Sequence, residues 1–139
     1  MQSAVWRSSR LIITRIHRMK VSKLLGLSTL LVASISSAGE ADVTAVDVAR
    51  SADGTYRFDV TVQHGDEGWK HYANRWEVLA PDGAVLGTRT LYHPHVDEQP
   101  FTRSLSGVEI PHGVSSVTVR AHDLVHGDGG AEMVVDIPR

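Results

Sequence analysis

From Asp42 onward, apolar residues recur at every second position in short runs, and no stretch sustains a 3.6-residue period. Such alternation turns one face of an extended chain toward a core and the other toward water, so it predicts strands. The clearest run is 56–63, where Tyr56, Phe58, Val60 and Val62 alternate with Arg57, Asp59, Thr61 and Gln63. The same reading gives strands over 43–49, across Trp76, Val78 and Ala80, and over 84 to about 92, the last without a clear inner face. Further strands cover 101–105 with a continuation at Val108 and Ile110, then Val117, Val119 and Ala121, and finally Met133, Val135 and Ile137. Turn-forming clusters separate them: Asp53-Gly54, Pro81-Asp82-Gly83, Pro111-His112-Gly113 and Gly127-Asp128-Gly129-Gly130. His93 to Pro100, bracketed by prolines, is a loop. Seven short strands at this spacing predict an all-β, two-sheet sandwich of immunoglobulin or fibronectin III kind, with Trp76 as the buried tryptophan of its third strand. A closed barrel is the alternative, because strand count does not decide closure.

The pattern changes abruptly upstream. Leu24 to Ala33 is an apolar run preceded by Lys20 and Lys23 and followed by Ser36-Ser37-Ala38, the layout of a secretion signal. It is broken by Ser34, Ser36 and Ser37 before reaching the roughly 20 residues that a membrane-crossing helix needs. Residues 1–38 are therefore expected to be a cleaved signal peptide, with Met19 as a possible true start, and 39–139 a single periplasmic or secreted domain. With no cysteine at the cut, lipid anchoring is not expected, nor any membrane association after cleavage.

Charge sharpens that division. Of the fourteen Lys and Arg and sixteen Asp and Glu in the 139 residues, six cations and no acid precede Glu40, which leaves eight cations against all sixteen acids thereafter, a net −8. An acidic domain repels phosphate backbones, so no nucleic-acid partner is expected. The absence of cysteine leaves packing, cross-strand pairs or a bound ion to stabilise a domain of about one hundred residues.

Topology carries the argument to chemistry. If consecutive strands run up and down, the second–third, fourth–fifth and sixth–seventh connections share one pole. Six of the eight histidines fall there: His64, His71, His93, His95, His122 and His126, with Asp66, Glu67, Asp97, Glu98, Asp123 and Asp128. Imidazoles and carboxylates converging from three loops make a candidate site for zinc or copper(II). His93-Pro94-His95 is its sharpest element, since residues two apart on an extended chain face the same way. The candidate ligands are His93, His95, His122, His126 and Asp97. Against this, histidine-x-histidine alone is a weak signal, and His64, which continues the inner face of its strand, reads as a packed core-edge residue.

A second reading uses the same loops as an interaction surface. Trp69, His71, Tyr72, Arg75, Tyr92 and Glu98 offer rings rimmed by polar groups, suited to a protein or glycan partner. Catalysis has little support and no catalytic residue is assigned: there is no thiol, no Gly-x-Ser-x-Gly turn and no glycine loop with an adjacent lysine.

The segments Gly68-Trp69-Lys70-His71-Tyr72-Ala73-Asn74-Arg75-Trp76-Glu77-Val78, His93 to Leu105 and Val125-His126-Gly127 resemble those of small exported bacterial proteins with no established activity. The resemblance spans nearly all of 39–139. It implies export and a compact β domain, and transfers no ligand or catalytic residue.

Overall fold

The computed structural model describes residues 39–139; the predicted signal peptide lies outside them. Seven strands form: β1 (Asp42–Arg50), β2 (Tyr56–Gln63), β3 (Ala73–Leu79), β4 (Val85–Thr90), β5 (Phe101–Val108), β6 (Ser116–Asp123) and β7 (Met133–Asp136). They make two antiparallel sheets, ordered β1-β2-β5 and β4-β3-β6-β7. No ladder joins the two sheets, so the molecule is an open sandwich and not a barrel. The fourth strand pairs with the third and not with the fifth, which leaves β5 and β4 as edges on opposite sheets.

The alternation read from sequence is what fills the space between the sheets. Phe58, Val60 and Val62 of β2 face Trp76 and Val78 of β3 and Val117, Val119 and Ala121 of β6, all buried, with Phe101, Val108, Leu91 and Ile137 closing the ends. Apolar burial at roughly 25 cal/mol per Å² is the main force holding the layers together. All of these core side chains, and all seven strands, lie within 41–137.

Two bulges explain where simple alternation breaks. In β1 the register shifts between Val43 and Ala45, so Val43, Val46 and Val48 all reach the core although an unbroken strand would turn Val43 away from the other two. In β5 the partner of Phe58 is Leu105 but that of Tyr56 is Val108, which leaves two residues, Ser106 and Gly107, opposite the single Arg57. Gly107 has φ +74°, a conformation costly to other residues, and the kink returns Val108 to the core. β3 is covered on both faces: Glu77 points away from the core yet is buried, held by Arg75 at 3.0 Å and Arg120 at 2.8 Å. Burial alone pushes the Glu77 carboxyl up, but hydrogen bonds from Arg120 and Arg75 outweigh it and hold it below the ordinary glutamate value.

Candidate histidine and carboxylate site

The β2–β3, β4–β5 and β6–β7 connections meet at one pole, and a buried carboxylate ties the first two. Asp66 Oδ1 accepts the backbone N–H of Ala73 at 3.0 Å and faces His64 Nδ1 at 2.5 Å, while Oδ2 accepts the N–H of His95 at 2.6 Å. Gln99 adds a second tie, accepting from the His64 N–H at 3.0 Å and donating to the His95 carbonyl at 3.1 Å.

Local turns place the next groups. Gly68, at φ +119°, reverses the chain so that the Glu67 N–H bonds the His71 carbonyl at 2.9 Å, which sets the Glu67 carboxylate against His71 Nδ1 at 3.2 Å. That hydrogen bond raises the His71 pKa above the usual histidine value, against an opposing effect of burial. At the end of β6, Asp123 Oδ1 accepts from the N–H groups of Val125 at 2.9 Å and His126 at 2.8 Å, an Asx turn closed by Gly127 at φ +73°. Burial pushes the Asp123 carboxyl up, and these backbone donors more than offset it, leaving it below the usual aspartate value.

His64, His71 and Asp123 each bring a ligand atom within 4.8 Å of the others'. In both histidines a carboxylate faces Nδ1, Asp66 on His64 and Glu67 on His71; Nε2 of His71 is left without a hydrogen-bond partner, whereas Nε2 of His64 donates to the Gly39 carbonyl at 3.0 Å and would coordinate an ion only by giving up that bond. Carboxylate–imidazole pairs of this kind orient histidine ligands and raise their basicity. His71 Nε2 and Asp123 Oδ2 are buried without a hydrogen-bond partner among the described residues, and His71 Nε2 lies 3.4 Å from Asp123 Oδ1. Buried polar atoms are normally satisfied, so two in a single group leave hydrogen-bonding or ligating capacity unused there, as do both ring nitrogens of His95 elsewhere at the pole. His126 joins the group, its Nδ1 3.1 Å from Asp123 Oδ1 and its ring 5.1 Å from that of His71. The rings of His64 and His71 meet edge to face at 4.8 Å. With metal–nitrogen bonds of about 2.1 Å in a tetrahedron, two ligands on one ion sit about 3.4 Å apart, so the most widely separated pair of the group has to close by up to about 1.4 Å to share an ion.

The residues singled out from sequence fall in several places. His126 and His71 lie in this group. His93 and His95 have ring centroids 4.6 Å apart, as their spacing predicted, but His95 is buried flat against Phe101 at 4.0 Å while His93 is exposed. Burial, reinforced by Arg103 and His93, lowers the His95 pKa. A hollow of about 60 Å³ lies beside this pair, also lined by Tyr92, Arg89 and Arg103. His122 is on the outer face of β6, its Nδ1 2.6 Å from Asn74 Oδ1. Asp97 is exposed, and Glu98 forms an ion pair with Arg103 at 2.9 Å. Trp69 (68 % exposed) meets Tyr72 edge to face at 6.0 Å, and Tyr92 stands 78 % exposed. Arg75 is engaged by Glu77 at 3.0 Å and Asp128 at 3.8 Å.

What sequence reasoning missed is His64, Asp66 and Asp123 as a working set. The signal was available in His64-x-Asp66-Glu67 with His71 four residues beyond Glu67, a spacing that pairs each imidazole with a carboxylate once the loop turns at Gly68. A cleft of about 520 Å³ lies at the opposite pole, lined by residues that include Arg50, Tyr56, His112 and Arg139. We weigh the histidine pole above it, because two arginines and one histidine on an open surface form no interlocked group, whereas the pole does.

No family model matches the chain, and no solved structure matches it. Over 97 residues it is 43 % identical to a protein of Halomicrobium mukohataei named "Putative lipoprotein". The match covers 70 % of this chain and 47 % of the relative, so the chain spans about half the length of the curated protein it resembles.

Proposed function

We propose that this chain is an exported β-sandwich domain that binds a divalent transition metal, zinc or copper(II), at His64, His71 and Asp123 with His126 alongside. The observation that carries the reading is the gathering of ligand atoms of His64, His71 and Asp123 within 4.8 Å of one another, the imidazoles held by Asp66 and Glu67, with His71 Nε2 and Asp123 Oδ2 buried and unpaired. Export rests on the apolar run ending at Ser36-Ser37-Ala38 and on the relative's name; lipid attachment is not carried over, since the sequence has no cysteine to bear it. Nothing in this reading requires catalysis.

Isothermal titration of the folded domain with zinc and copper(II) at pH 7.5 and pH 5.5 tests it. Binding is expected at the higher pH, weaker at the lower because protonated imidazole cannot ligate, and lost in His71→Ala and Asp123→Asn. His122→Ala, on the outer face, is expected to bind like the native protein. Absence of binding and of any thermal shift with either metal overturns the reading.

The second reading, a protein or glycan partner held through the same loops, is favoured by one observation, the exposure of Trp69 and Tyr92. Glycan-array or pull-down signal lost in Trp69→Ala/Tyr92→Ala, with metal binding intact, would support it.

A further inference from the structure

The first described residue lies inside the histidine group. The Gly39 carbonyl oxygen is 3.0 Å from His64 Nε2. A β-carbon added at Gly39 would sit 2.9 Å from His126 Cε1 and 3.3 Å from its Nε2, and φ there is +114°, so both space and backbone conformation call for glycine. This backbone is therefore packed against two of the imidazoles at the pole.

It is also fixed there. Ala41 is fully buried, and Gly130 offers it a slot with no room for a side chain: a β-carbon at Gly130 would fall 2.0 Å from the Ala41 carbonyl oxygen. At Gly129 one would lie 2.5 Å from Glu40 Oε1. The Ala131 N–H donates to Asp42 Oδ1 at 2.7 Å, and the Val43 N–H to the Ala131 carbonyl at 2.8 Å. A segment that merely led into a strand would have no need of a glycine-walled slot at a cluster of ionisable side chains.

The residue before Gly39 is Ala38, the last of the small residues at which the signal is expected to be cut. We propose that cleavage between Ala38 and Gly39 completes the metal site, the α-amino group released on Gly39 serving as a ligand beside the imidazoles of His64, His71 and His126. The inference rests on the metal reading above and goes further, naming a ligand that exists only in the processed protein. In the precursor the Gly39 nitrogen is an amide, with its lone pair delocalised into the carbonyl and no basicity to offer. Once cut it is an amine of ordinary pKa about 7.7–8.0, which gives up its proton to solvent on coordination. Amine nitrogen and the Gly39 carbonyl oxygen belong to one residue and can close a small chelate ring on a single ion. A donor set rich in amine and imidazole nitrogen favours copper(II) over zinc in affinity. Binding is then coupled to export: the unprocessed chain carries an incomplete site.

The test begins with protein exported from the full coding sequence. Intact mass should place its first residue at Gly39. Copper(II) affinity at pH 7.5, measured by competition with a chromophoric chelator, is then compared with that of the same domain extended by Ala38, which moves the amine one residue away. Since loss of even an indirect partner of a ligand costs about 10- to 100-fold, the extended form should bind on the order of 100-fold more weakly or worse, at unchanged melting temperature. Its electron paramagnetic resonance spectrum should show one fewer coordinated nitrogen. Equal affinity and equal spectra would overturn the amine ligand while leaving the histidine site standing. Failure of both forms to bind would remove both readings, and an exported protein beginning at any other residue would remove this one.

Discussion

Asp66 is the single residue on which most of the pole depends. It accepts from the Ala73 and His95 backbones and holds the His64 ring, and its side chain is fully buried. Asp66→Ala would leave those donors unsatisfied and is expected to destabilise the domain by about 3–5 kcal/mol in urea unfolding. Asp66→Asn, which keeps the acceptor oxygen, should recover part of that loss while still weakening metal binding, because the His64 ring would lose its charged partner. His95 gives a pH prediction. Its pKa in the fold is depressed by burial, with Arg103 and His93 adding to the effect and Asp66 and Glu98 opposing it. Below about pH 6.5 the unfolded chain takes up a proton that the folded one refuses, so this residue removes stability as pH falls through that value. His71 has the opposite sign, its raised pKa favouring the fold at low pH and losing that contribution as pH rises through the folded value. Urea midpoints at pH 7.5 and 5.5 should therefore show a smaller acid-side fall in His95→Gln than in the native protein.

At the scale of elements, glycines decide how the loops approach one another. Gly130→Ala puts a β-carbon into the Ala41 carbonyl, so the first strand must withdraw from the β6–β7 connection. It should cost about 2 kcal/mol or more in thermal unfolding, whereas Gly65→Ala, which meets open space, should cost far less. Gly87 plays a similar part between sheets: a β-carbon there would stand 2.9 Å from Leu105 Cδ2, so β4 lies close over β5 because this position has no side chain. That is why the inner face of β4 was illegible. Leu86 is the partly buried residue packed on the core, and its neighbour approaches the other sheet through backbone alone, which a hydrophobic pattern does not record. β2, β6 and β7 were legible because their burial follows period two, and β2 was placed to the residue. The register shifts, four among the described residues, were not; those in β1 and β5 each insert one residue whose only trace is a phase change, at Val43 to Val46 and at Leu105 to Val108.

At the scale of the molecule, the acidic domain and the charge-free apolar run before it are properties of composition, and they predict behaviour directly. The domain from Gly39 should bind an anion exchanger at neutral pH and show no retention on duplex DNA, checked by chromatography and gel shift. That three connections share a pole follows from strands running up and down, and the sequence carried that far: period-two burial, turn residues and the count of strands determined an all-β sandwich with histidines gathered at one end. Which imidazoles meet was decided only by tertiary structure. His93 and His95 keep the mutual spacing that local geometry imposes, but Phe101 stacks on one of them and draws it into the core. Gly39, the His64–His71 segment and Asp123 lie far apart along the chain, and their meeting depends on Gly68 reversing a loop and on Gly130 admitting the segment around Ala41. Local patterning is set by the two or four nearest neighbours of a residue, whereas a site with several ligands is set by how separate loops fill the same few ångströms, and that is a property of packing.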